Sequence, residues 1–346
     1  MTSDNMQNNI PLSEYDKSAV DIANSVIGRL TQLHRARESA APKPASDLLF
    51  HYTTADGLKG ILENDELWAT SAYYLNDANE IYYGCGLFKA ALDEWIKKNT
   101  CSEKSFSLLM ARKLREWFGE RLLPKRVILP IYVACFCEED NLLSQWRAYG
   151  QSGGYSLGFS APVADYVGQG FKPEPTTYTS KWIKVEYDRE AQSRRCSAIL
   201  DATLPIFDDP GTEEAVRAVS EHPLVGFSKI FEALNDMIME AIVGFKSEAF
   251  SVEREWRLVV RRREIVMPGT DDGGKNQVPV YFRSARGTLI PYVKLVPMDS
   301  VKKLPLMSVR SGPTHDEMTA AVALSMMLRK FGYSARIHAS YIPVRF

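Results

Sequence analysis

The sequence predicts an α+β protein in which a helical arm, residues 1–45, precedes one large domain, residues 46–346. After residue 48 the strand-like and helix-like runs alternate irregularly, without the regular strand and helix repeat of a parallel sheet. The hydrophobic share of 45% is that of a globular chain. The residues before 46 differ, because they combine one long apolar stripe at the helical spacing with a segment rich in proline and small residues.

The arm is predicted to be one helix and a linker. Apolar residues between Tyr15 and Arg37 recur on one helical face, and the segment Glu38–Ala45 then stops the helix with Pro42 and Pro44. Such an apolar stripe packs either on its own domain or on a second protein. Both alternatives are open at this point, and a protein partner at this helix is one of our predictions.

Within the domain, short apolar runs predict strands, and apolar residues three and four positions apart predict helices. The predicted strands are Leu48–Thr53, Val127–Cys137, Tyr155–Phe159, Trp182–Tyr187, Trp256–Val260 and Ala335–Ile342. The predicted helices are Ala55–Glu63, Tyr82–Lys98, Asn141–Tyr149, Ser220–Phe250 and His315–Phe331, the last of them ended by Gly332.

Composition narrows the class of protein. The net charge of −1 provides no footprint for nucleic acid, although the local run Arg261–Arg263 keeps a basic patch open. We find no apolar run of the roughly 18 residues that a membrane helix needs, and no secretory signal, so we expect a cytoplasmic protein without a membrane partner. The five cysteines lack zinc-site spacing, so we expect reduced thiols and no metal site.

Three short segments carry candidate chemistry. The first strand ends in His51, Tyr52 and Thr53, where the histidine is either a functional group or an ordinary packing residue. The second segment contains Glu253 and Glu255, which are expected to point the same way because successive side chains alternate at the entry to a strand. Two such carboxylates stabilise the cation that forms when a glycosidic bond breaks.

The second segment also has a purely structural interpretation. Arg257 follows Glu255 at the same strand spacing and could neutralise it in an ion pair, which would leave the carboxylate unavailable to a substrate. Lys246, upstream of the pair, is expected to be solvated.

The third segment runs from Cys135 and Cys137, which are expected to be core residues, through a short helix to a glycine-rich turn. Its aromatic residues Trp146, Tyr149 and Tyr155 suit a flat heterocycle such as nicotinamide. The alternative is an ordinary connection whose aromatic residues belong to the core.

Taken in order, these segments resemble the DUF2971 family, from about Leu48 to the C-terminus. The resemblance rests on His-Tyr-Thr, Leu-Trp-Ala-Thr, Cys-Phe-Cys-Glu with Trp-x-x-Tyr, and Phe250-x-x-Glu-x-Glu-Trp-Arg. That family is similar in fold to ADP-ribosyltransferases, in which a split, mostly antiparallel sheet is surrounded by helices. The resemblance implies NAD as the substrate, with His51 bonding a ribose hydroxyl and the carboxamide side, Thr53 supporting the strand end, and Tyr52 also in the NAD-binding set.

The resemblance also implies roles for the remaining candidates. Glu255 would hold the ribose hydroxyl and support the cation, with Glu253 as the second choice, and Trp146, Tyr149 or Tyr155 would stack on nicotinamide. The central Cys135-Phe136-Cys137 departs from the usual motif of the transferases.

We therefore carry two hypotheses. One is an enzyme that passes ADP-ribose to an unknown macromolecular acceptor or to water, in bacterial stress or anti-phage defence. The other is a catalytically silent module that binds a nucleotide, a nucleic acid or a protein.

Overall fold

The protein is described here by a computed structural model. It covers residues 14–44, 46–75, 80–100, 105–120, 131–150, 154–160, 167–168, 178–209, 212, 226–262, 279–285, 287–297, 303–313 and 316–342. The chain divides into two compact units, residues 1–41, 85–120 and 193–242 in the first, and residues 42–84, 121–192 and 243–346 in the second. The predicted boundary at residue 45 stays a prediction.

The helices longer than two turns are α1 (Glu14–Ser39), α2 (Ala55–Asn64), α3 (Glu80–Asn99), α4 (Phe106–Glu120), α5 (Arg189–Thr203), α6 (Gly226–Val243) and α7 (Glu317–Lys330). The strands are β1 (Leu48–Thr53), β2 (Leu67–Ser71), β3 (Ile131–Cys137), β4 (Tyr155–Ser160), β5 (Val167–Gly168), β6 (Tyr178–Lys184), β7 (Glu255–Arg262), β8 (Tyr281–Ala285), β9 (Thr288–Pro297), β10 (Leu306–Ser311) and β11 (Arg336–Ala339). Short helical turns lie at Ala72–Tyr74, Leu143–Gln145, Leu204–Asp208 and Glu248–Glu253, and Trp146–Gly150 is π-helical.

The first unit is helical. Leu30 of α1 and Phe88 of α3 are fully buried, and the ring of Phe88 stacks on that of Phe118 at a centroid distance of 5.8 Å. Helix α1 also bonds within this unit, because His34 Nε2 lies 2.6 Å from Glu240 Oε2. The described part of the predicted arm therefore packs in its own unit, and the predicted protein partner stays a prediction.

The second unit is built on an open sheet that is mostly antiparallel. Its main path is β11-β10-β4-β1-β3-β2-β9-β5, with β7 and β6 branching from β3 and β8 from β9. Of the pairings within the described strands, only β10 with β11 is parallel. One edge of β3 pairs with β7, while its other edge is shared between β2 and, at Cys137, β1. This branching places the strand ends of β1, β3 and β7 side by side.

One face of the sheet is covered by helices. Leu58, Ile61 and Leu62 of α2 lie on one helical stripe and are buried in the same cluster as Leu324 and Leu328 of α7. Burial of each such side chain contributes about 1.5–3 kcal/mol to folding. The first turn of α2 is capped, because Thr54 Oγ1 accepts a hydrogen bond of 3.2 Å from the backbone N–H of Gly57.

The structure corrects several predicted elements. The helix expected over Ser220–Phe250 ends at Val243 in the described residues, since Phe245 instead bridges Glu186 and turns the chain towards the sheet. The predictions also omitted α4, α5, β2, β5, β8, β9 and β10. The start of the strand predicted from Val127 lies outside the described residues, which begin β3 at Ile131.

Two glycines in this unit respond oppositely to the same substitution. In Gly158→Ala the new Cβ would lie 2.8 Å from Phe50 Cε1 and closer still to Ser308 Oγ, so we expect a loss of about 1–3 kcal/mol in the free energy of unfolding. Gly60, inside α2, has open space around it, so Gly60→Ala should stabilise by about 0.5–1 kcal/mol. Urea unfolding of both variants checks the pair, and a stabilised Gly158→Ala would contradict the packing described here.

Candidate functional site

Three neighbouring strands bring the predicted segments together. Strand β1 carries His51, β3 carries Cys135, and β7 starts at Glu255. Cys137 is the Cα partner of Phe50 on one side and of Glu255 on the other. Cys135 lies more than 80 residues after His51 in the sequence, and Glu255 lies more than 200 residues after it. These distant segments therefore meet at one end of the sheet.

A cavity of about 330 Å³, counted with the open space at its mouth, lies at this end of the sheet. Among the described residues, its wall is formed by Phe50, His51, Tyr52, Cys135, Phe136, Gln145, Tyr149, Glu253 and Glu255. The wall is thus aromatic, with carboxylates and a carboxamide but neither a lysine nor an arginine.

His51 is neutral at this site. Burial lowers its pKa below the ordinary value for histidine, against a smaller opposing effect of the hydrogen bond to Cys135. That bond joins His51 Nδ1 to the carbonyl oxygen of Cys135 at 2.9 Å, and because a carbonyl only accepts, Nδ1 carries the proton. Nε2 is then the ring nitrogen that can accept a hydrogen bond from a hydroxyl.

A buried ion cluster of Glu80, Lys246, Glu253, Glu255 and Arg257 lies against the cavity. Lys246 Nζ is 2.6 Å from Glu253 Oε2, 3.0 Å from Glu255 Oε2 and 3.2 Å from Glu80 Oε1. Its side chain is only 7% exposed, so the expectation that Lys246 is solvated was wrong. Three carboxylates face two cations, and with all five ionised the cluster carries a net charge of −1.

Arg257 forms the second centre of this ion cluster. It is 1% exposed and donates from Nε to Glu255 Oε1 at 2.9 Å, from one terminal nitrogen to Glu80 Oε2 at 2.5 Å and from the other to the carbonyl of Val243 at 2.6 Å. The alternative in which Arg257 pairs with Glu255 is therefore the arrangement in the structure. Desolvation acts to raise the pKa of Glu255, but Arg257 and Lys246 outweigh it and lower the pKa to about 2.

Glu253 differs from Glu255 in structure and in charge. It ends a 3-10 turn, Arg254 then adopts the left-handed conformation with φ of 45°, and the strand begins only at Glu255. The strand alternation that we expected for this pair was therefore wrong, although both carboxylates reach Lys246. Burial raises the pKa of Glu253, with Lys246 partly opposing the shift. Only its Oε2 is bonded within the described residues, which leaves Oε1 available to a ligand.

The structure separates the aromatic candidates. Tyr149 lies in the cavity wall, on the π-helical segment, and such segments are frequent at functional sites. Trp146 is fully buried and donates from Nε1 to Asn141 Oδ1 at 2.9 Å, and Tyr155 packs against the main core cluster. Tyr52 is in the wall, but its hydroxyl is engaged by the backbone of Glu139 and Leu142.

The other candidates are placed as follows. Thr53 pairs with Tyr155 at the end of β1 and does not belong to the described wall. Cys135 borders the cavity, but burial raises its thiol pKa well above the usual value, and burial raises that of Cys137 to about 12. These thiols are therefore protonated at neutral pH, which is the state expected of core cysteines.

The sequence did not point to Glu80 or Gln145 as site residues, and it did not indicate that Lys246 is buried. Glu80 begins α3 and resembles an ordinary acidic residue in a first helical turn. Gln145 lies directly before Trp146 and shows no distinctive spacing. The one available signal was the unusual density of charges from Lys246 to Arg257 beside apolar residues.

The described part of the chain shows neither a cluster of metal-ligating side chains nor a membrane-spanning helix. No group of three or more histidine, cysteine, aspartate or glutamate side chains there is arranged to hold a metal ion. None of the described helices combines the length and the apolar composition that crossing a membrane requires. The cytoplasmic localisation stays a prediction.

The fold and the site thus define a mixed α/β protein with an open, mostly antiparallel sheet and a small aromatic cavity beside buried charges. A model of the DUF2971 family, described as a protein of unknown function, matches residues 145–258. The match includes Gln145, Tyr149, Glu253 and Glu255 but not His51, and it supports the resemblance found in the sequence. No curated protein and no solved structure matched the chain.

Proposed function

We propose that the protein is an NAD-dependent ADP-ribosyltransferase-like enzyme that breaks the bond between nicotinamide and ribose and passes ADP-ribose to an acceptor or to water. The observation that carries this proposal is the meeting of His51, Glu253 and Glu255 in the wall of one aromatic cavity. In this proposal the nicotinamide riboside end of NAD enters the cavity, and the rest of the dinucleotide lies outside it.

The charge of the site supports the chemistry. When the glycosidic bond breaks, its electron pair goes to the ring nitrogen, nicotinamide leaves as a neutral molecule, and positive charge develops on the ribose. A buried cluster with one excess negative charge stabilises that cation more strongly than it stabilises the ground state. Glu255, held in place by Arg257 and Lys246, supplies fixed negative charge in this proposal.

Glu253 and His51 are assigned the direct contacts. Glu253 Oε1 has no bond to a described residue, and it accepts a hydrogen bond from a ribose hydroxyl or from the acceptor, whose proton it takes as the new bond to ribose forms. His51 Nε2 accepts from a second hydroxyl and positions the sugar. Tyr149 and Phe136 provide aromatic surface for the nicotinamide ring, whose positive charge in NAD favours an aromatic and acidic wall.

A second candidate function is a catalytically silent module that binds a nucleotide in the same cavity. It is favoured by the engagement of both oxygens of Glu255 by Arg257 and Lys246. The two candidates differ in one measurable property, because the module would bind NAD without releasing nicotinamide.

The test is nicotinamide release from NAD by the purified full chain, with and without cell lysate as a source of acceptor. We expect release by the wild type and a loss of roughly tenfold in kcat/KM for His51→Ala, since about one hydrogen bond of 1.4 kcal/mol is removed. Glu139→Gln, in an exposed ion pair with Arg254, is the matched control and should retain wild-type activity. Absence of release in every condition, with NAD still bound, would instead support the silent module.

A further inference from the structure

Gln145 is a buried residue in the wall of the candidate site. It is 7% exposed and lies in the cavity wall, directly before the π-helical segment that carries Tyr149. Within the described residues its side-chain amide makes no hydrogen bond. The amide borders the cavity, so a ligand that enters there can complete its hydrogen bonds.

The chemistry of Gln145 specifies what kind of group fits. A primary amide offers one oxygen acceptor and two N–H donors, and this pattern is complementary to a second primary amide, which can form two parallel N–H···O bonds with it. A carboxylate offers acceptors only. It would leave the oxygen of Gln145 unpaired.

The charges of the cavity point in the same direction. The described wall contains Glu253 and Glu255 but no lysine or arginine, and His51 is neutral. A carboxylate would therefore find no cation in the described wall and would lie beside an ion cluster whose net charge is −1, and like charges at short distance oppose binding. A neutral carboxamide meets no such repulsion.

We propose that Gln145 determines specificity by binding the carboxamide of the nicotinamide ring, so that the cavity accepts pyridine carboxamide dinucleotides and rejects the corresponding pyridine carboxylates. This inference rests on the proposed function. It goes further by assigning the choice between NAD and nicotinic acid adenine dinucleotide, which differ only in this group, to one side chain.

The test compares binding of these two dinucleotides to the full chain by titration calorimetry. For the wild type we expect NAD to bind about 100-fold more tightly, which corresponds to two hydrogen bonds. In Gln145→Leu, NAD should bind at least tenfold more weakly while the carboxylate analogue changes little, so that the preference falls. Gln32→Leu, the same substitution at an exposed position of α1, is the matched control and should bind both as the wild type does.

The outcomes separate this inference from the proposed function. Equal binding of both dinucleotides by the wild type would overturn the role of Gln145 and leave the enzyme reading intact, and this comparison needs no variant. A preference that persists unchanged in folded Gln145→Leu would assign discrimination to the carboxylates alone and would also overturn it. Failure of the wild type to bind either dinucleotide would overturn both proposals.

Discussion

Replacing Arg257 by methionine is expected to lower the free energy of unfolding by about 3–5 kcal/mol, the range found when one partner of a buried ion pair is removed. Arg257 is 1% exposed and supplies the hydrogen bonds of Glu255, Glu80 and the carbonyl of Val243. Methionine fills much of the same volume but leaves these acceptors without that donor. Urea unfolding monitored by tryptophan fluorescence measures the effect.

Arg254→Met is the matched control for this prediction. Arg254 lies three positions earlier and pairs with Glu139, but its side chain is 58% exposed, so its loss should cost about 0–1 kcal/mol. Similar losses in the two variants would show that the buried ion cluster has no special role in stability.

The dependence of folding stability on pH in the acid range provides a second test of the ion cluster. The pKa of Glu255 is about 2 in the folded protein and about 4.5 as an ordinary glutamate, so the unfolded chain takes up protons first as the pH falls. The contribution of Glu255 to stability is therefore complete above about 4.5 and is lost between 4.5 and 2. The pKa of Glu253 is raised, so the folded protein takes up this proton before the unfolded chain does. As the pH falls towards the ordinary pKa of glutamate, protonation of Glu253 therefore increases the stability.

Glu253→Gln is expected to reduce kcat for nicotinamide release by about 10²–10³-fold, the effect typical of removing one group that stabilises charge in a transition state. The substitution keeps the shape of the side chain but removes the excess negative charge of the cluster and the base that takes the acceptor proton. In the wild type, kcat should fall when the pH drops through the raised pKa of Glu253, because protonation has the same effect.

Glu255→Gln tests how the two carboxylates divide the work. It removes a charge from a residue that two cations hold, so it should reduce both activity and stability, whereas Glu253→Gln should reduce activity with a smaller loss of stability. Full activity in Glu253→Gln, together with a folded but inactive Glu255→Gln, would reverse the proposed roles. Glu139→Gln again serves as the control for each measurement.

Several features of the site were predictable from local sequence. The run from Leu48 to Thr53 reads as a strand because alternation is a property of neighbouring residues, and this assignment placed His51 on β1. The same reasoning placed Tyr149 on a helical segment after β3. It failed at Glu253, because Arg254 adopts the left-handed conformation and its carbonyl accepts a hydrogen bond from the backbone N–H of Glu138, which is distant in the sequence.

The sequence by itself determined the helix α2, the strand bearing His51, the approximate course of β3, β4 and β7, and a candidate pair of carboxylates. These follow from spacing, which acts between residues that are close along the chain. Only the tertiary structure decided that Lys246 is buried, that Arg257 links Glu80 with Glu255, and that Gln145 lies in a cavity wall without a side-chain hydrogen bond to the described residues. The physical reason is that ion pairing and desolvation depend on distances in space, which the pairing of β1, β3 and β7 sets.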